Sequence, residues 1–118
     1  MDERPFAVTA SPGVLKVSGS VDEYAVIALR NALREQTQDY TRSLAVELSD
    51  ADYLPSVAVS VLVTAIRSAG QNGVTVSLVA RTGTIAQRVL LVCALPYSTE
   101  LPDIAESSET PPGPSVVA

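Results

Sequence analysis

The spacing of apolar residues changes period several times along the chain, and each change marks an element. Phe6-Ala7-Val8-Thr9-Ala10 and Val14-Leu15-Lys16-Val17-Ser18 are short β-type runs parted by the turn triplet Ser11-Pro12-Gly13, which predicts a hairpin. From Val21 to Gln38 the period becomes helical. Ala25, Ala28, Leu29, Ala32 and Leu33 share a face, with Arg30, Arg34 and Glu35 outside it. Ser43 to Leu48 predicts a buried strand, and Ser49 to Pro55 is polar, Asp-rich and predicted to turn. From Ser56 to Ala69, Val57, Val61, Ala65 and Ala69 recur at i+4 with Ala58, Leu62 and Ile66 beside them, as in a helix. The many β-branched residues there make poor helix formers and keep a strand in competition. Length and the closing Gly70-Gln71-Asn72-Gly73 favour the helix. Val74 to Val79 predicts a strand. Thr84 to Cys93 predicts a last helix, with Ile85, Val89, Val92 and Cys93 on its buried side. The order β-β-α-β-α-β-α predicts an α/β fold, a mixed sheet covered on one face by helices, since the later strands need crossover connections.

Composition narrows this picture. A chain of 118 residues fits one domain, drawn here over residues 1–104. Residues 105–118 (AESSETPPGPSVVA) are rich in Pro, Ser and Glu and are expected to be disordered. Apolar residues make up 47% of the chain, but with only four Tyr, one Phe and no Trp the core must be aliphatic. The net charge of −5 is mostly a tail property, because Glu100, Asp103, Glu106 and Glu109 have no base near them. An acidic chain lacks the footprint for nucleic acid and is not drawn to an anionic membrane. The uncharged stretch Tyr53–Ile66 falls short of the ~20 residues that span a bilayer. Asp2, Glu3 and Pro5 do not begin a signal peptide, so a soluble cytoplasmic protein is expected.

Histidine is absent, which removes the commonest general base and metal ligand. No Ser-His-Asp or Cys-His arrangement can be assembled. Cys93, the lone cysteine, cannot form an internal disulfide or a thiolate cage. Neither enzymatic activity nor a cofactor or metal is expected. A divalent cation can be imagined among Glu47, Asp50 and Asp52, but a solvated loop explains these acids better.

Three segments in register resemble STAS domains, the fold of bacterial anti-sigma factor antagonists. Gly19-Ser20-Val21-Asp22 is similar to the family's Gly-x-hydrophobic-Asp between its second strand and first helix. Leu44-Ala45-Val46-Glu47-Leu48-Ser49-Asp50-Ala51-Asp52-Tyr53-Leu54-Pro55-Ser56 resembles the family's strand, its Asp-Leu-Ser and the following aromatic-hydrophobic-Asp-Ser-Ser-Gly. Ala69-Gly70-Gln71-Asn72-Gly73, a strand, and Ile85 to Leu95 are similar to its closing elements. The likeness runs over roughly residues 6–100. It implies a binding module that captures a serine kinase-type anti-sigma factor and releases a sigma factor. It further implies a docking surface of Asp22, Leu54, Pro55, Ser56, Val57, Ala58 and Ser60. The alternative is a STAS subunit serving a transport or signalling assembly, since a fold alone does not choose a function.

The departures are specific. The strand ends Glu47-Leu48 where the family usually has Asp-Leu, and Asp-Ser-Ser-Gly aligns with Pro55-Ser56-Val57-Ala58. The second serine is the family's phosphorylation site, and Val57 stands there. A phosphate at that helix start would add about −1.5 to −2 charge to an apolar docking surface. Valine cannot be switched in this way. Ser56 is a displaced acceptor or, as residue statistics favour, the helix N-cap. Asp22 reads equally as a helix cap and as a partner contact. Cys93 reads better as a small buried residue than as a redox sensor.

Overall fold

The computed structural model describes residues 4–101. Its elements follow the predicted order: β1 (Ala7–Ser11), β2 (Val14–Ser20), α1 (Glu23–Gln36), β3 (Leu44–Tyr53), α2 (Ser56–Gln71), β4 (Val76–Val79) and α3 (Ile85–Val92). The strands form one sheet in the order β1-β2-β3-β4. The β1–β2 pair is the expected antiparallel hairpin, whereas β2–β3 and β3–β4 are parallel. Beyond β4 the sheet gains one bridge, where Ser98 N donates to Leu78 O and Ala80 N donates to Ser98 O, each at 2.9 Å.

Strand alternation decides what faces the helices. Leu15 and Val17 of β2, Leu44, Val46 and Leu48 of β3, and Val76 and Leu78 of β4 join one aliphatic core. Leu29 and Leu33 of α1, Leu62 and Ala65 of α2, and Ala86 and Leu90 of α3 complete it. The β-branched segment after Pro55 is thus a helix, held by burial of its Leu62 face rather than by propensity. In α1, Val26 is buried and Ala28 exposed, so the buried stripe is rotated slightly from the expected one.

Two expectations need correction. The Asp-rich segment after Leu48 does not turn at once: β3 continues to Tyr53, pairing Asp50, Ala51 and Tyr53 with Ser18, Gly19 and Ser20. Its acids are compatible with a strand because arginines hold them. Arg4 donates to both Asp52 carboxylate oxygens at 2.9 Å and to Asp50 O at 2.6 Å, while Arg81 lies 3.4 Å from Asp50. In α3 the buried face is Ala86 and Leu90, with Val89 half-buried. Ile85, Val92 and Cys93 are exposed, so Cys93 is no core residue. The hydrophobic spacing of α3 fits two faces, and Ala86, the smallest candidate, wins the close approach to the sheet. The segment 105–118 lies outside the described residues, and no described helix is long and apolar enough to cross a membrane.

Candidate functional site

Parallel pairing sends β2 and β3 into their helices at the same end of the sheet, where open α/β sheets usually place their sites. Val21 N donates to Tyr53 O at 3.1 Å, which ties the two strand-to-helix turns together. From this junction α1 and α2 start side by side.

The α1 entry is capped. Asp22 has extended backbone, and its Oδ1 accepts from Tyr24 N at 3.1 Å and Ala25 N at 2.9 Å. Asp22 remains exposed while doing so. The α2 entry is built differently. Pro55 is the N-cap, with φ −74° and ψ 169°, and its carbonyl accepts from Ala58 N and Val59 N. Proline supplies the pre-set φ but no side-chain acceptor. Ser56 is therefore the first helical residue and not the cap, which corrects the expectation for that serine.

The predicted site residues divide into two layers. Asp22, Pro55 and Val57 come together with Glu23, Tyr24 and Tyr53 around an open groove of about 450 Å³. Ser56 and Ser60 are exposed on α2. Leu54 and Ala58, in contrast, are 6% and 0% exposed and belong to the core. They hold the surface from beneath, a correction with two causes: Leu54 is packed into the core just before α2 begins, and Ala58 lies on the inward face of the helix. Sequence reasoning missed Tyr24, which is 77% exposed and stands two residues after the capping Asp22. Its signal was an aromatic on the polar side of an amphipathic helix. Tyr53 is half exposed, as is Val57 at 51%. The surface is thus an apolar, aromatic-flanked patch with an acidic margin at Asp22 and Glu23.

Behind it, Glu47 is buried and accepts from Ser49 N at 2.8 Å, and Ser49 Oγ accepts from Arg81 N at 2.8 Å. The Arg4 hydrogen bonds, aided by its charge, hold the Asp52 carboxyl below the usual carboxylate range. No trio of metal-ligating side chains converges among the described residues. The junction offers shape, apolar area and hydrogen-bonding edges, which suit recognition of a protein surface.

The STAS domain family profile matches residues 5–97, and the chain belongs to that family. Solved structures agree. An anti-sigma factor antagonist from Mycobacterium paratuberculosis is 25% identical with a TM-score of 0.64, covering 88% of this chain and 92% of its own. The anti-sigma factor antagonist SpoIIAA in its unphosphorylated form is 14% identical, with a TM-score of 0.63 and coverage of 88% and 95%. The Bacillus cell fate determinant SpoIIAA in its phosphorylated form is 12% identical, with a TM-score of 0.59 and coverage of 88% and 97%. These last two likenesses establish the fold. No curated protein matches the sequence significantly.

Proposed function

We propose that this chain is an anti-sigma factor antagonist that docks on a serine kinase-type anti-sigma factor and so frees a sigma factor, without control by phosphorylation at position 57. Membership in the STAS family and the likeness to an antagonist from Mycobacterium paratuberculosis support the general role. The observation that carries the finer reading is Val57, 51% exposed in the first turn of α2 and shared by the grooves on either side. A hydroxyl there would be open to a kinase, whereas the isopropyl group offers only apolar contact. Asp22, Pro55, Ser56 and Ser60 surround it as the remaining contacts. The chain acts in the cytoplasm, by binding rather than catalysis, and needs no cofactor of its own.

The test is capture from native cytoplasm with the full chain as bait, with retained proteins identified by mass spectrometry. The wild type is expected to retain an anti-sigma factor with or without ATP. Val57→Glu is expected to lose it, because an unpaired charge in an interface costs about 2–5 kcal/mol. Retention of transporter subunits in place of an anti-sigma factor, or equal retention by Val57→Glu, would overturn the proposal.

A further inference from the structure

On the other flank of Val57, between α1 and α2, lies a second groove of about 600 Å³. It shares Val57 and Ser60 with the docking surface and is otherwise lined by residues outside it, apart from Glu23 at its margin. Its size falls in the ~300–1,000 Å³ range of small-ligand sites. Val26, Val57 and Val61 supply apolar walls, and Arg30, Arg34 and Tyr40 stand along the same lining. The spacing of α1 sets a polarity: Glu23 lies at its N-terminal end, and the two arginines follow two and three turns later.

The backbone beside this groove is costly. Gln38, Asp39 and Tyr40 all have left-handed backbone, with φ of 51°, 59° and 65°. Three consecutive non-glycine residues rarely adopt it. A buried network holds them: Thr37 Oγ1 donates to Leu33 O at 2.6 Å and accepts from Tyr40 N at 2.9 Å. From the far end of α2, Asn72 Nδ2 donates to Tyr40 O at 2.7 Å. The outcome is a half-buried tyrosine fixed against the core and lining the groove. Strain that the surroundings over-determine is typical of functional sites. Burial raises the Tyr40 phenol above its ordinary value, with Arg34 and Arg30 opposing it, so the hydroxyl remains a donor at neutral pH. Arg34 shares Asp39 at 3.2 Å, whereas Arg30 has no ion pair among the described residues.

We propose that the α1–α2 groove binds a small amphipathic carboxylate, its apolar body along Val26, Val57 and Val61 and its carboxylate at Arg30 and Tyr40. Guanidinium and phenol are both donors, matching an acceptor-only group. Glu23 repels a carboxylate from the opposite end and fixes the orientation. The proposal goes beyond the docking reading, and its test does not require a protein partner.

The full chain is titrated with sodium decanoate below its micelle concentration, with decyltrimethylammonium and decanol as controls. Methyl NMR shifts at Val26, Val57 and Val61 and the Tyr40 amide report binding. Decanoate is expected to give saturable shifts there, at least about tenfold tighter than either control, and Arg30→Gln is expected to weaken it by a similar factor. Thr64→Trp, which fills the groove from an exposed position of α2, is expected to abolish the shifts. Both substitutions are at exposed side chains and leave the core intact. Absence of saturable shifts, equal binding of the cation, or undiminished binding by either variant would overturn the proposal. Shifts that follow protein concentration without any ligand would overturn it as well, assigning the groove to a second copy.

Discussion

Replacing Gly19 by alanine tests how the site end of the sheet is held. Gly19 has φ +80°, and a Cβ built there falls 2.0 Å from Pro5 O, 2.6 Å from Pro5 C and 2.9 Å from Arg4 O. Those atoms are backbone, so no side-chain rotation relieves the overlap. The left-handed conformation alone costs an alanine about 1–2 kcal/mol. Forcing the Arg4–Pro5 segment away adds an overpacking cost of about 1–3 kcal/mol. It also endangers the Ser20 N to Arg4 O hydrogen bond of 3.0 Å. A total on the order of 2–5 kcal/mol is expected for Gly19→Ala. Urea unfolding followed by far-UV circular dichroism measures it, with a lower midpoint at unchanged slope. The two contributions separate in a chain that begins at Phe6, where the overlap is gone and only the backbone cost remains. A loss below about 1 kcal/mol in the full chain, or an equal loss in both backgrounds, would refute this account of Gly19.

Leu62 is fully buried and Ile66 only half-buried, so Leu62→Ala is expected to cost about 2–5 kcal/mol and Ile66→Ala distinctly less in the same unfolding assay. Asp52 has its pKa depressed in the folded state, so its contribution is present above the ordinary carboxylate value and lost as pH falls through the depressed one. Asp52→Asn should therefore flatten the stability–pH curve in that acid window and leave its neutral arm shaped as before. Cys93 is exposed, so a maleimide should label the native chain as fast as the unfolded one, and strong protection would contradict the α3 face described here.

Much of the fold was legible because its signals were redundant. The hairpin had a Pro-Gly turn between two β runs, and α1 had both a stripe and an Asp cap. For α2, β-branched propensity pointed the wrong way, but the i+4 recurrence of Val57, Val61, Ala65 and Ala69 predicted what burial enforces. The misreadings arose where the deciding partner is distant in sequence. Nothing near Asp50 and Asp52 announces that Arg81 pairs with the first and Arg4 with the second, which lets β3 run on. In α3 the larger side chains Ile85 and Val92 suggested the core face, yet the sheet accepts Ala86 and Leu90. At the site, the resemblance assigned surface roles to Leu54 and Ala58, which the fold buries, Leu54 just ahead of α2 and Ala58 on its inward face. Tyr24 and the left-handed turn at Gln38-Asp39-Tyr40 left no motif, since exposure and φ arise only once α1 is placed.

The central claim is that Val57 makes docking independent of phosphorylation. Its most direct test is calorimetric titration of the purified chain into its cognate anti-sigma factor, before and after incubation of both with ATP and magnesium, with intact masses recorded throughout. The account predicts one affinity under both conditions, an unmodified mass for the chain, and loss of binding in Val57→Glu. A phosphate on the wild type that disappears in Ser56→Ala, together with weakened binding after ATP treatment, would contradict it.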